Sequence, residues 1–353
     1  MRTFRSLVAA LAVLVVACAP APGNGSGVAW RWTAPPPAGV GMPAADRTGT
    51  AVTAGATFLV AFDVDGRHRW STRRVGLRDV APAFAPGLVL AATDDGLVAA
   101  DRTTGTIRWD AALGDEASTP VVAGGLAITS LWHGGLVALR LGDGAVAWRV
   151  PLPGLALGPP AGDGRAIVAT WEAEHGTAAG AIAVDVATGR ARWKASLPPG
   201  GVSGPALVGG VVVMVAGDLA AHGLDVASGV ERWRHDVGSA GSPEVPPAVA
   251  GSRVLVATRR GGLHLLDVLD GRERWSTADA GDAVRGGPVM APGAGPVALP
   301  RWDGTVLVAG RGRSARTLRP PGTVSGLAVA PDGSLLVATR DADRNALVAY
   351  RGW

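Results

Sequence analysis

The residues best suited to acid–base or metal chemistry lie in one segment, TWEAEHGTAAG at residues 170–180. Glu172, Glu174 and His175 offer two carboxylates and an imidazole, the groups that ligate metal ions or act as general acid and base. The alternative interpretation is a long, solvated hairpin tip. The segment is therefore a candidate site, and the residue types by themselves do not establish catalysis or metal binding.

The other potential ligands and nucleophiles follow no pattern known to support catalysis. No serine lies in a G-x-S-x-G sequence, and the nearest case, Ser203, is followed by Gly204 and Pro205, which is typical of the start of a strand. The histidines have no H-x-x-x-H or H-E-x-x-H spacing and are interpreted as surface or turn residues: His68, His133, His175, His222, His235 and His264. We therefore predict no catalytic residue, no bound metal and no cofactor.

Tryptophan and arginine, which often anchor protein interfaces, recur outside any catalytic pattern. Several occupy short segments between apolar runs and form a candidate binding face: Trp132, Trp171, Trp302, Arg259, Arg260, Arg301 and Arg340. An exposed tryptophan at a loop tip has no obvious packing role. The alternative is that each loop tip folds back on the strands that it joins.

A repeat of about 40 residues must position these side chains. Seven tryptophans mark it: Trp32, Trp70, Trp109, Trp148, Trp193, Trp233 and Trp275. Six of them end one phrase, as in VDVATGRARW at 184–193, with a glycine four residues before the tryptophan. The glycine is expected to supply a positive φ in a tight turn, and the tryptophan to fill the wedge between neighbouring sheets. Short apolar runs separated by glycine turns, at this period, predict a β-propeller.

The predicted fold is all-β, an eight-bladed propeller of four-stranded antiparallel blades. Six blades carry the phrase, and a degenerate blade spans about 286–318, with Thr317 where the tryptophan is due. The last blade is expected to combine 323–353 with 28–33, so that the N-terminal strand closes the ring by pairing with 347–353. A seven-bladed ring is the alternative.

Meander topology assigns the candidate binding residues to one side of the ring. The hairpins between second and third strands lie on the same side as the connections from blade to blade, and we call this side the loop face. The glycine turns of the repeat phrase lie on the opposite side, the turn face. All of the candidate binding residues fall in loop-face hairpins.

The phrase A-x-D-x-x-T-G-x-x-x-W, nearly complete at 183–193 and 99–109, resembles the repeat of the pyrroloquinoline-quinone-like (PQQ-like) β-propellers. The resemblance extends from about residue 28 to the C-terminus. Together with the lone cysteine, it makes the chain similar to the propeller lipoprotein of the outer-membrane β-barrel assembly machinery. It implies an interaction platform. Relatives that oxidise alcohols hold the quinone and calcium with adjacent, disulfide-bonded cysteines and with Glu, Asn and Asp. This chain has one cysteine and only two asparagines, Asn24 and Asn345, so no cofactor is predicted.

The N-terminus predicts a membrane anchor. Residues 1–18 contain two arginines, an apolar stretch and the sequence VVAC, a lipoprotein signal peptide and lipobox. Cys18 is the only cysteine, and lipidation would account for a lone thiol in a secreted protein; the alternative is a cysteine discarded with the signal peptide. Residues 19–27 are then a flexible tether, and 28–353 a single propeller domain.

The predicted function is that of a non-enzymatic scaffold, extracytoplasmic and lipid-anchored to a bacterial membrane, which acts as a monomer and binds envelope proteins. The formal net charge is +4, and no basic stripe with interleaved aromatics appears, so nucleic acid is not an expected partner. Two alternatives are a PQQ-dependent quinoprotein dehydrogenase and a binder of cell-wall polysaccharide, which would also use exposed tryptophan.

Overall fold

Eight antiparallel β-sheets form the ring in the computed structural model, and the eight-bladed all-β prediction is confirmed. The structure describes residues 28–34, 39–54, 56–238, 245–258, 262–277, 287–310, 313–341 and 345–353. The helical segments in these residues are two single 3₁₀ turns, Glu174–Gly176 and Pro292–Ala294. Neither has the length or hydrophobicity that crossing a membrane requires.

The first strand of the chain, β1 (Val28–Thr33), belongs to blade eight. Blade one contains β2 (Ala44–Asp46), β3 (Gly49–Ala54), β4 (Phe58–Phe62) and β5 (His68–Arg73). Blade two contains β6 (Ala83–Ala85), β7 (Leu88–Thr93), β8 (Gly96–Asp101) and β9 (Ile107–Ala112). Blade three contains β10 (Val121–Ala123), β11 (Leu126–Leu131), β12 (Gly135–Arg140) and β13 (Val146–Val150). Blade four contains β14 (Leu155–Ala156), β15 (Ala161–Gly162), β16 (Ala166–Glu172), β17 (Ala179–Asp185) and β18 (Ala191–Leu197).

The remaining blades follow the same order. Blade five contains β19 (Ala206–Val208), β20 (Val211–Val215), β21 (Ala220–Asp225) and β22 (Glu231–Asp236). Blade six contains β23 (Ala248–Ala250), β24 (Arg253–Ala257), β25 (Leu263–Asp267) and β26 (Glu273–Thr277). Blade seven contains β27 (Val289–Met290), β28 (Val297–Pro300), β29 (Val306–Gly310) and β30 (Arg313–Leu318). Blade eight contains β31 (Thr323–Val329), β32 (Leu335–Arg340), β33 (Ala346–Tyr350) and β1.

Burial explains why the strands have these compositions. The second and third strands are buried along almost their whole length, as in β7 and β8, because each sheet is covered on both faces by its neighbours. Continuous runs of Val, Ala and Leu suit such strands. The outer strand β9 instead alternates, with Trp109 buried between exposed Arg108 and Asp110. The core is therefore divided into wedges between blades, and the repeat tryptophan fills each wedge from the outer strand.

The ring closes by pairing between the two ends of the described chain. β1 pairs antiparallel with β33, which confirms the predicted closure. Trp30 and Trp32 of this strand both pack on Phe62 of blade one, with ring centroids 6.0 and 5.1 Å away. The closing strand therefore joins blade eight by backbone hydrogen bonds and blade one by aromatic packing.

The register of the closing strand corrects one prediction. In blade two, Leu90 pairs with Ala99, which pairs with the repeat tryptophan, Trp109. The corresponding row in blade eight is Leu336, Ala349 and Trp30. Trp32 is buried, but it lies two residues beyond the repeat position, which Trp30 holds. Spacing did not separate the two, because they precede Trp70 by 40 and 38 residues and the other intervals between repeat tryptophans vary from 39 to 45 residues.

The degenerate blade seven contains a second correction. The row Ala298 and Val308 continues to Arg316, so Arg316 and not Thr317 stands at the tryptophan position. Its Nη2 donates a hydrogen bond of 2.7 Å to the carbonyl oxygen of Gly352 in blade eight. Repeat tryptophans make the same kind of bond to the following blade. Arg316 therefore supplies the hydrogen-bond donor at this position but not the large aromatic ring.

Candidate functional site

The repeat tryptophans are used entirely between blades. In five of them the indole Nε1 donates to a backbone carbonyl of the next blade, and these bonds join Trp70 to Arg102 (2.9 Å), Trp109 to Leu141 (2.8 Å), Trp148 to Val186 (2.8 Å), Trp193 to Val226 (2.8 Å) and Trp233 to Val268 (2.8 Å). Trp275 packs on the next core but is only partly buried. These side chains are structural and are not available to a partner.

The glycine of each phrase contacts the tryptophan of the preceding phrase. Gly229 has φ +75°, and a Cβ built there would lie 2.5 Å from Cδ2 of Trp193. The same relation holds at Gly105, Gly144, Gly189 and Gly271, and at Gly66 against Trp30. The predicted positive φ is confirmed. The contact adds a second reason for glycine, since the indole ring needs the space that a side chain would take.

The aspartate of the phrase is used inside its own turn. In blade five, Oδ1 of Asp225 accepts hydrogen bonds from the backbone N–H groups of Ala227 (3.0 Å) and Ser228 (2.8 Å). Its Oδ2 pairs with Arg232, the residue before the tryptophan. The Arg232 guanidinium and the Ser228 N–H lower the pKa of Asp225 to about 2. The same ion pair recurs as Asp101–Arg108, Asp185–Arg192 and Asp267–Arg274. The polar residues of the turn face are therefore largely satisfied within the repeat.

A cavity of about 390 Å³ opens on the turn face at the closing seam. It is lined by Asp46 and Val64 of blade one and by Trp30, Asp332 and Arg351 of blade eight, among others. The regular phrase cannot fill this corner, because the third and fourth strands of blade eight come from opposite ends of the chain. The cavity is thus a consequence of how the ring closes.

Trp132 lies on the loop face, on the hairpin between β11 and β12, with 42% of its surface exposed. Oδ2 of Asp115 accepts hydrogen bonds from the backbone N–H groups of His133 (2.6 Å) and Gly134 (2.8 Å), which fixes the hairpin tip. The side chain of Trp132 lines a cavity of about 250 Å³. Its lining comes from six of the eight blade connections, so it lies near the ring axis. Arg78 and Glu116 form an ion pair among the lining residues.

Trp171 behaves differently. It is the second-to-last residue of β16 and is half-buried, and its indole ring covers Gly180 of β17, where a Cβ would lie 2.8 Å from Cζ2. The alternative interpretation, in which the side chain packs on its own blade, describes this residue better than free exposure. Trp171 can contribute only part of its surface to an interface.

Trp302 is the most exposed tryptophan, with 55% of its surface accessible. It lies in the turn between β28 and β29, which is held by Asp303 Oδ1 accepting from the backbone N–H (2.9 Å) and hydroxyl (2.6 Å) of Thr305. The Thr305 bonds and the nearby Arg301 and Arg319 lower the pKa of Asp303. The indole is thus presented from a fixed turn with positive charge close by.

The predicted arginines have different environments. Arg340 forms an ion pair with Asp79 from the connection between blades one and two. Arg301 is half-buried, and its Nε makes no hydrogen bond within the described part of the chain. Arg259 and Arg260 lie outside the described residues. A polar cavity of about 380 Å³ beside Trp302 is lined by Asp303, Arg319, Arg340 and Asp341, among others.

These residues share a face but do not form one patch. Trp132 and Trp171 belong to blades three and four, whereas Trp302, Arg301 and Arg340 belong to blades seven and eight. In a ring of eight, blades three and seven lie opposite each other. The loop face therefore presents two regions: an apolar one with Trp132 beside the axial cavity, and an arginine-rich one with Trp302.

The segment 170–180 gives no cluster of ligands. Oε1 of Glu172 accepts a hydrogen bond of 2.6 Å from the backbone N–H of Gly201, and Glu174 and His175 are exposed on a 3₁₀ turn. His175 has φ 67°, a conformation of tight turns. The hairpin-tip interpretation fits this geometry.

Among the described residues, one group of three potential metal ligands occurs, and sequence reasoning missed it: His235, His264 and Glu273. Treating the histidines as surface or turn residues was also wrong for His222, which is 3% exposed. A signal existed in the repeat. His222 and Glu231 precede His264 and Glu273 by 42 residues, the same interval that separates Trp233 from Trp275. Aligning the phrases would have shown a repeated His–Glu pair.

Comparisons with known proteins agree with this architecture. The family model described as outer membrane protein assembly factor BamB matches residues 14–154 and 133–351. No curated protein sequence matches the chain. The crystal structure of BamB from Moraxella catarrhalis superposes with a TM-score of 0.72 at 18% identity, covering 91% of this chain and 96% of that one. The computationally designed protein Ika8 (TM-score 0.69, 14% identity, 89% and 96% covered) and the C-terminal WD40 domain of Sif2 (0.71, 12%, 89% and 97%) share the fold.

Proposed function

The chain belongs to the family of outer membrane protein assembly factor BamB, and from this membership we propose that it is a non-enzymatic scaffold of the bacterial envelope that binds other envelope proteins through its loop face. Fold alone does not assign a role, because propellers of this type also serve as enzymes. The argument for binding comes from particular side chains.

The observation that carries the proposal is the exposure of two tryptophans. Of the twelve in the chain, Trp132 and Trp302 are the ones with exposed side chains, and both lie on the loop face. Their hairpins are fixed by Asp115 and Asp303, so presenting them costs little conformational entropy on binding. Rigid aromatic anchors of this kind supply most of the energy in many interfaces.

The two regions of the loop face fit different parts of a partner. Trp132 and the axial cavity suit an apolar side chain or a short extended segment. Trp302 stands near Arg301, Arg319 and Arg340, whose planar guanidinium groups suit carboxylates. A protein that presents an apolar segment and an acidic one on opposite sides of the ring axis would engage both regions.

We further propose that Cys18 carries a lipid that holds the propeller at the membrane. Support comes from the VVAC sequence and from the absence of any other cysteine in the chain. Cys18→Ser should release the protein from the membrane fraction or leave an unprocessed precursor, as seen by fractionation and by mass spectrometry. Normal processing together with unchanged membrane association would contradict lipidation.

The binding face is tested by photo-crosslinking in intact cells followed by identification of the captured proteins. Trp132→Ala and Trp302→Ala should each weaken capture, because removing a packed aromatic anchor costs about 2 kcal/mol, roughly 30-fold in affinity. Leu269→Ala is the matched control, since Leu269 is 59% exposed on the turn face. Equal capture by all three variants would place the binding surface elsewhere.

The same variants separate the proposal from its competitors. Retention on purified cell-wall glycan that depends on Trp132 or Trp302 would favour a polysaccharide binder. Appearance of the quinone absorbance on the protein after incubation with PQQ and Ca²⁺, with oxidation of an alcohol, would favour a dehydrogenase. Either result would overturn the scaffold proposal.

A further inference from the structure

Three side chains converge at the outer end of the junction between blades five and six. His235 comes from β22 of blade five, whereas His264 and Glu273 come from β25 and β26 of blade six. Their ligand atoms all lie within 4.8 Å of one another. All three side chains are partly exposed, so a solvated ion can reach them.

The spacing of these atoms matches a zinc site. Oε2 of Glu273 lies 2.8 Å from Nδ1 of His264 and 3.2 Å from Nε2 of His235. Tetrahedral zinc with bonds of about 2.0–2.1 Å separates its ligand atoms by about 3.3 Å. The ligand nitrogens of the two imidazoles lie within 4.8 Å of each other, so rotation of these side chains must bring them closer for both to bind one ion.

The carboxylate is prepared to act as a ligand. Ser276 donates a hydrogen bond of 2.7 Å to Oε1 of Glu273, which orients the carboxylate and turns Oε2 toward the two imidazoles. Outer partners such as Ser276 are what fix a metal ligand in place.

We propose that His235, His264 and Glu273 form a transition-metal site, best suited to Zn²⁺, that links blade five to blade six. Two imidazoles and one carboxylate occupy three positions of a tetrahedron, and the fourth is open to water or to a side chain of a bound partner. Because the ligands come from two blades, binding of the metal stabilises their junction.

Blade five provides a natural control. His222 and Glu231 reproduce the His264–Glu273 pair, with Nδ1 and Oε2 2.8 Å apart. Here, however, the other ring nitrogen bonds Asp218, and the position equivalent to His235 in the preceding blade is Ala195. The His–Glu pair is thus present in both blades. The third ligand, His235, is present only at the junction between blades five and six, and not at the junction between blades four and five.

The test is Zn²⁺ binding to the full chain, measured by calorimetry with added zinc chloride and by the visible spectrum after loading with Co²⁺, which reports tetrahedral coordination. We expect one ion per chain, a spectrum typical of tetrahedral Co²⁺, and a rise in Tm with zinc concentration. His235→Ala and His264→Ala should abolish all three effects, and Ser276→Ala should weaken affinity about 10–100-fold. His133→Ala, which alters an exposed histidine on the loop face, should behave as the wild type.

A gain of binding makes the test independent of any loss of folding. Ala195→His places a third imidazole beside His222 and Glu231 and should create a second, weaker site. The proposal would be overturned if the wild type bound neither Zn²⁺ nor Co²⁺. It would also be overturned if His235→Ala and His264→Ala, both folded, still bound the metal as the wild type does. Neither outcome affects the scaffold function, whose tests rely on the loop face.

Discussion

The two faces of the propeller are made from hairpins on the same strands, yet they use their polar and aromatic residues differently. On the turn face, the same aspartate–arginine pair recurs in four blades, and the glycine of the phrase contacts the tryptophan of the preceding blade. On the loop face, the hairpins differ from blade to blade, and two of them present exposed tryptophan. Residues that recur are those required by packing, whereas residues that occur once are free to serve binding.

The reason lies in the junctions between blades. Trp30 and the five repeat tryptophans from Trp70 to Trp233 each contact the turn glycine of the next blade, so this glycine cannot change without disturbing its neighbour. The contacts of the loop-face hairpins differ from blade to blade: Oδ2 of Asp115 holds the hairpin tip that carries Trp132, whereas Oε1 of Glu172 accepts a hydrogen bond from Gly201. The His235, His264 and Glu273 group shows that a junction can also carry an unrepeated feature where space remains at its outer end.

The largest effect should come from removing the strand that closes the ring. Deletion of 28–33 takes away the partner of β33 and both rings that pack on Phe62, and it leaves an unpaired apolar edge. The protein should aggregate or lose cooperative unfolding, as followed by calorimetry and light scattering. Deletion of 19–26, in the predicted tether, is the control and should do neither. Equal behaviour of the two truncations would contradict closure by β1.

A smaller effect separates the two classes of tryptophan. Trp193→Ala should lower the free energy of unfolding by ~3–5 kcal/mol, because it leaves a void between blades four and five and an unpaired carbonyl at Val226. Trp132→Ala should change it by no more than ~0.5 kcal/mol, as is usual for exposed sites. The free energy of unfolding of both variants is measured by urea denaturation.

Gly229→Ala sharpens the same comparison. Its Cβ would meet Trp193, so it should destabilise in the same direction as Trp193→Ala. A loss of stability in Trp132→Ala as large as that in Trp193→Ala would show that the loop-face tryptophan is a packing residue.

The smallest effect is electrostatic and belongs to the turn face. The folded-state pKa of Asp225 is about 2, below the ordinary value of 3.8 for this group, so its contribution to stability is complete above about pH 5 and is lost as pH falls toward 2. Asp225→Asn should flatten the dependence of Tm on pH in this window, while Trp132→Ala should keep the wild-type slope. An unchanged slope in Asp225→Asn would mean that the Arg232 pair adds no stability.

The sequence by itself predicted the eight blades, with seven as the alternative, together with the closing strand and the structural use of the repeat tryptophans. A period of about 40 residues, with Gly and Trp at fixed positions within it, indicates which strand belongs to which blade. The continuous apolar runs indicate sheets that are buried on both faces. The sequence also indicated which hairpins share the loop face, since that depends only on the order of antiparallel strands.

The tertiary structure alone decided which atoms meet. Trp30 holds the repeat position in place of Trp32, because the register of β1 is set by pairing with a strand more than 300 residues away. Trp171 folds onto Gly180 while Trp302 stays exposed, although both lie in loop-face hairpins. His235 meets His264 and Glu273 across a junction because neighbouring outer strands converge there. Periodicity fixes the place of a residue along the chain, but the direction and neighbours of its side chain depend on packing between blades.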